Sequence, residues 1–148
     1  MHADDFAKVW FKLTRDYRTS MESALSPLTE GQLVVLEYVM THKQVKPSDL
    51  IEYLATTPAA VTTLLDRMVK NGLVERQRDE RDRRIVWIRL TEKGALEGKR
   101  GIAIRNRILQ GGLDHISHHN QKLLVYLLGK IDFSREKEEA QADRLAES

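Results

Sequence analysis

No cysteine occurs anywhere in the chain. That excludes disulfides, thiolate zinc sites and thiol redox switches, and it suits a cytoplasmic protein. No apolar run reaches the ~18 residues that mark a membrane-spanning helix, and the N-terminal MHADDFAKVW lacks a basic segment followed by an apolar one. The expectation is an unexported, cytoplasmic protein with no membrane partner. Charge of one sign is scarce too: Lys+Arg 24 stand against Asp+Glu 22, a formal net charge of +2. Bulk charge therefore decides nothing about nucleic acid, and any such case rests on where the cations cluster. The sequence also lacks a nucleophile elbow, a phosphate-binding loop and HExxH. Its carboxylates interleave with Lys and Arg as they do on solvated helix faces, so no enzyme and no cofactor are expected.

What is present is helical periodicity over 148 residues, enough chain for one domain with one core. Phe6, Val9, Trp10, Leu13, Tyr17, Met21 and Leu25 recur at steps of three and four, which predicts a first helix from about Asp4 to Ala24. Its aromatic stripe fits packing on its own domain and packing on a second copy equally well. Pro27 helps end it, and Thr29 with Gln32 forms a capping box for a second helix facing inward through Leu33, Leu36, Val39 and Met40. Pro47 to Leu54 reads as a short third helix whose cap is weak, because Lys46 has no side-chain acceptor.

The stretch Thr56 to Gly94 carries the chemistry. Thr57 is a good N-cap with Pro58 behind it, and the fourth helix turns Val61, Leu64, Leu65 and Met68 to one side. Ala59, Thr63, Arg67 and Lys70 fall opposite, flanked by Ala60 and Thr62. Small residues permit close approach to base edges, and hydroxyls and cations meet phosphate, although any amphipathic helix shows a polar face. Asn71-Gly72 ends this helix. Arg76 to Arg84, RQRDERDRR, holds five arginines against three acids. Strands are expected on either side of it, at Val74 to Arg78 and Ile85 to Leu90. Val86, Ile88 and Leu90 are expected to face the core, and Trp87 to point outward over a neighbouring helix. Two helices joined by a short turn and followed by a charged ribbon form the pattern of a winged helix-turn-helix.

Thr91 is placed to cap a fifth helix containing Gly94, Gly98 and Gly101, each unfavourable by ~1 kcal/mol against alanine, so packing has to support them. Gly111-Gly112 is expected to interrupt it, and a last helix beginning at Ile116-Ser117 presents Leu123, Leu124, Leu127, Leu128 and Ile131. The charged tail SREKEEAQADRLAES is expected to continue that helix and fray.

These residues carry a likeness. LTEGQ at 28–32, KPSDL at 46–50, AAVTTLLDRMVKNGLVER at 59–76 and above all DERDRRIVWIRLTEKG at 79–94 resemble the MarR family of bacterial transcription regulators. The resemblance implies a mainly α fold with a small β-wing, in which 28–94 form the winged helix-turn-helix lobe. Residues 1–27 and 95–148 would supply the dimerisation helices of a single 1–148 domain. It implies a homodimeric repressor on a pseudo-palindromic double-stranded DNA operator, with Thr57 to Asn71 in the major groove. Thr62 matches the family's Val-Thr hydroxyl and Thr63 its next, more variable DNA-facing position. Arg81, Arg83 and Arg84 match the basic wing residues, and Asp82 pairs with one of the wing arginines as a loop brace. The expected DNA contacts are thus Thr57, Ala59, Ala60, Thr62, Thr63, Arg67, Lys70, Arg76, Arg78, Arg81, Arg83 and Arg84.

By the same resemblance a small, phenolic or aromatic effector would sit in a cleft lined by Phe6, Trp10, Leu13, Tyr17 and Tyr38, residues for which core and dimer packing is the more ordinary role. Two other readings stand beside it. His115, His118 and His119 have a spacing that suits Zn²⁺ if one helix carries them, which would make a metal-responsive regulator. Against that, Ser117 marks a helix boundary, and the family's zinc sensors place ligands where this chain has Leu33-Val34. A winged helix can also serve as a protein-interaction module, a role that five wing arginines disfavour.

Overall fold

The computed structural model describes residues 2–147. Helices α1 (His2–Leu25), α2 (Glu30–Thr41), α3 (Pro47–Leu54) and α4 (Pro58–Lys70) precede a ribbon of β1 (Val74–Arg78) and β2 (Val86–Leu90). Helices α5 (Glu92–Leu113), α6 (His118–Leu128) and α7 (Ser134–Ala146) follow. The chain divides between Leu109 and Gln110 into two compact units.

The first unit is organised by its caps. Thr29 accepts from the Gln32 N–H at 3.2 Å while the Gln32 side chain accepts from the Thr29 N–H at 3.2 Å, the full capping box. At α3 only half of that arrangement exists: Asp49 accepts from the Lys46 N–H at 2.8 Å, and lysine offers nothing in return. Thr57 accepts from the Ala60 N–H at 3.2 Å and starts α4. Gly72, at φ 72°, ends it, with the Gly72 N–H bonded to the Val69 carbonyl and the Leu73 N–H to the Met68 carbonyl.

The core joins Leu33, Val35 and Leu36 of α2, Leu50 of α3, Val61, Leu65 and Met68 of α4, and Leu73, Val74 and Ile88 of the ribbon. Val35 takes a core position in α2, and Val39 and Met40, expected there, are only half-buried. Met21 and Leu25 of α1 are fully buried in the same core, so the C-terminal end of α1 is part of the lobe. The strands pair antiparallel, Val74 opposite Leu90 through Arg78 opposite Val86. Ile85 lies outside β2, one residue short of the expected start. The α2–α3 connection joins the other edge of β2 through the Ile88 N–H to Val45 carbonyl bond at 2.8 Å.

Thr91 ties α5 to this lobe. Its hydroxyl oxygen accepts from the Gly94 N–H at 2.9 Å and donates to the Gly72 carbonyl. Gly94 lies so close to β1 that an added Cβ would stand 1.9 Å from the Leu73 carbonyl oxygen. At Gly98 the same atom would meet Met40 Sδ at 2.8 Å, and at Gly101 it would meet Leu33 Cδ1 at 2.6 Å. These glycines let α5 lie directly on the lobe, which is the tertiary support their poor helix propensity requires.

Beyond Leu109 two expectations are corrected. Helix α5 passes through Gly111-Gly112 to Leu113, because glycine lowers helix propensity without removing a hydrogen-bond donor. The tail makes a separate helix, α7, after a break in which Asp132 accepts from the Ser134 N–H at 2.8 Å; Ser148 lies outside the described residues. Neither α6 nor α7 carries a buried residue among those described.

Candidate nucleic-acid interface

Helix α4 presents the face expected of it. Ala59, Ala60, Thr62, Thr63, Arg67 and Lys70 are all exposed, while Val61, Leu65 and Met68 are buried. The Thr62 hydroxyl donates to the Pro58 carbonyl at 3.0 Å and the Thr57 hydroxyl is engaged in capping. Both oxygens already serve the helix, which leaves Thr63 as the uncommitted hydroxyl on that face. Arg67 and Lys70 lie in the last turn, where the helix dipole favours cations, and neither side chain has a partner among the described residues.

The wing arginines, alike in sequence, fall into two groups. Arg76 projects from the core side of β1 and pairs with Asp66 of α4 at 2.7 Å. Arg78 donates to the Arg83 carbonyl at 3.0 Å. Arg84 forks onto Asp82, Nε to Oδ1 at 3.0 Å and Nη2 to Oδ2 at 3.0 Å. These three build the ribbon and its tip. The guanidinium groups of Arg81 and Arg83 are exposed and have no intramolecular partner among the described residues.

Asp82 braces the loop as expected, and the Arg84 fork is the first cause of a carboxyl held below its usual range. The sequence reading missed a second brace, Asp79. Its Oδ2 accepts from the N–H groups of Arg81 at 3.0 Å and Asp82 at 2.8 Å, and its Oδ1 accepts from Trp87 Nε1 at 3.0 Å. The Trp87 bond is the largest influence lowering the Asp79 carboxyl below its usual range. Trp87 is thus outward-facing and bonds within the wing, since strand alternation puts Asp79, Ile85 and Trp87 on one face. That alternation was the available signal.

The residues named for an effector cleft occupy α1 and α2. Phe6 and Trp10 stack on each other at 5.9 Å on an exposed stretch of α1 that also carries Leu13. Tyr38 stacks on His42 at 3.8 Å and packs on Tyr53 at 4.6 Å. Arg105 of α5 donates to both carboxylate oxygens of Glu37 of α2, Nη2 to Oε1 at 3.0 Å, and burial holds the half-buried Tyr17 hydroxyl above its usual range, with Glu30 adding to the shift and Arg105 opposing it. Among the histidines, His115 precedes the Ser117 cap while His118 and His119 open α6. The four-residue spacing is therefore not a helical one, and the described residues contain no cluster of three or more metal-ligating side chains.

Comparison with known proteins agrees with this geometry. The sequence pattern of the MarR family matches residues 28–86. The organic hydroperoxide resistance transcriptional regulator of Bacillus subtilis is 31% identical over 113 residues, 76% of this chain and 74% of that protein. The transcriptional repressor MdtR of the same organism is 27% identical over 130 residues, 88% of this chain and 83% of its own length. Among solved structures, a mutant of Escherichia coli MarR complexed with operator DNA superposes with a TM-score of 0.74 at 26% identity, covering 85% of this chain and 92% of that one. A lobe of three helices and a two-stranded wing, an exposed α4 face, and relatives that are transcriptional regulators lead to one conclusion: the chain belongs to the MarR family of transcription regulators.

Proposed function

We propose that this regulator acts as a homodimeric, sequence-specific repressor, laying α4 in the major groove of a pseudo-palindromic operator and the wing tip in the adjacent minor groove. The observation that carries the reading is a group of exposed cations with no partner among the described residues, including Arg67 and Lys70 on α4 and Arg81 and Arg83 on the wing tip, beside the small exposed Ala59, Ala60 and Thr63. Cations held by carboxylates are spent on the fold. Those left free are available to phosphate, and a guanidinium at a ribbon tip suits the negative potential of a narrow minor groove. Thr63, Ala59 and Ala60 read base edges, Arg67 and Lys70 meet phosphate, and Arg76, Arg78 and Arg84 hold the wing in shape. The E. coli relative, solved in complex with operator DNA, supports DNA as the ligand of this fold.

Release of the operator is assigned to a small aromatic or phenolic ligand. Of the five residues first considered, Tyr17 is favoured, because it interacts with Arg105 of the Arg105–Glu37 pair that joins α5 to α2. Such a ligand acts by favouring a dimer whose recognition helices no longer match successive grooves, which requires a higher affinity for that state. Selection of duplexes from a random library by the purified protein tests the main reading. The expected product is a pseudo-palindrome with half-sites about one helical turn apart, and a library that emerges without enrichment sinks it. A panel of phenolic compounds titrated into the selected complex tests the release step.

A further inference from the structure

The outer face of the wing carries a tryptophan with no core beneath it. Trp87 stands opposite Gln77 in the ribbon, on the side away from buried Ile88, and is half-buried. Its indole N–H donates to one oxygen of Asp79 at 3.0 Å, while the other oxygen gathers the N–H groups of Arg81 at 3.0 Å and Asp82 at 2.8 Å. Backbone bonds from the Asp79 N–H to the Ile85 carbonyl at 2.9 Å and from the Ile85 N–H to the Asp82 carbonyl at 3.0 Å close the base of the tip. The carboxylate of Asp79 therefore links β2 to the loop in which Arg81 and Arg83 sit. All three of its contacts are charge-assisted, the stronger kind of hydrogen bond.

We propose that Trp87 is a positioning residue for DNA binding: acting through Asp79, it fixes the wing tip so that Arg81 and Arg83 meet the groove already oriented. The inference rests on the DNA-binding function proposed above and deepens it. A loop of this length held only by its ends would lose its freedom on binding, and affinity would fall by that cost. Arg84 and Arg78 constrain the far side of the tip through Asp82 and the Arg83 carbonyl. Among the described residues, only the Trp87 bond anchors the near side to the opposite strand through a side chain.

Trp87→Phe keeps an aromatic ring and removes the N–H. With a duplex enriched by the wild-type protein as probe, this variant is expected to bind about three- to tenfold more weakly, the cost of ordering a freed tip on binding, with a thermal midpoint lowered only modestly by the lost bond. In an Arg81→Ala/Arg83→Ala background the same change is expected to matter less than about twofold, because the groups it positions are gone. A purely structural role would cost the same factor in both backgrounds. In the free protein, the Trp87 indole resonance in a ¹⁵N spectrum is expected to move as Asp79 titrates, and to lose that response in Asp79→Asn. Wild-type affinity in Trp87→Phe, equal losses in the two backgrounds, or an indole resonance indifferent to Asp79 overturns the proposal and leaves DNA binding intact. Failure of the wild-type protein to enrich any duplex overturns both.

Discussion

At the scale of the residue, charge alone did not assign roles to the arginines of 76–84; their partners did. Arg76 faces the core side of β1 and is held by Asp66, whereas Arg81 and Arg83 lie on the tip. Arg81→Ala and Arg83→Ala are each expected to weaken operator binding and to reduce the slope of log affinity against log salt by about one phosphate-equivalent. Arg76→Ala is expected to leave that slope unchanged and lower stability by ~0.5–1 kcal/mol, as for a partly exposed pair. Binding isotherms at several salt concentrations with thermal melts separate the two. The Glu37–Arg105 pair sets an acid limit. The Arg105 hydrogen bonds are the first cause lowering the Glu37 carboxyl below the usual carboxylate range, and Arg105 is shifted up, so only Glu37 titrates in the window. The pair's contribution is complete above the unfolded-state value and is lost as pH falls through the lower folded value. Glu37→Gln should accordingly melt earlier than wild type at neutral pH and converge with it at acid pH; a constant gap between the two curves would refute this origin.

At the scale of the element, α5 shows why LTEKG is a structural signature. Thr91 caps the helix and bonds back to the end of α4, and Gly94 lets the helix touch the Leu73 carbonyl. Gly94→Ala is expected to be severely destabilising, since the contact is with backbone that cannot swing away. Gly101→Ala is expected to be milder, because Leu33 Cδ1 at 2.6 Å can rotate. Gly111→Ala meets no atom within 4 Å and is expected to stabilise by ~0.5–1 kcal/mol through helix propensity. Thermal denaturation of the three variants should rank them in that order. The helices themselves were legible because caps and apolar spacing agree at Thr29, Thr57, Thr91 and Ser117. The misreadings came where one local signal was taken alone, as with Gly111-Gly112.

At the scale of the whole molecule, α6 is the feature a single chain does not explain. Every residue from Leu123 to Leu128 is apolar, and all are exposed, from 38% at Leu124 to 65% at Val125. A soluble monomer rarely leaves so continuous an apolar surface open, and a second copy of this chain is the partner proposed for it. Sedimentation is expected to give a dimer for the wild-type protein. Leu124→Glu combined with Leu128→Glu, on one helical face, should yield monomers with operator affinity reduced by an order of magnitude or more, since two half-sites would no longer be bound together. A variant that stays dimeric would place the interface elsewhere.

The sequence by itself determined the local structure: where helices start, the face α4 turns outward, the alternation of the ribbon, and a family signature in DERDRRIVWIRLTEKG. These are legible because they depend on neighbours a few residues away. Tertiary structure decided what depends on distant partners. Arg76 is paired with an aspartate ten residues earlier, and Gly94 is required by the Leu73 carbonyl just before β1. The wing tip was braced by Trp87 across the ribbon, through a hydrogen bond that spacing permitted and only the folded register formed. Free and committed cations look identical in sequence, and folding separates them.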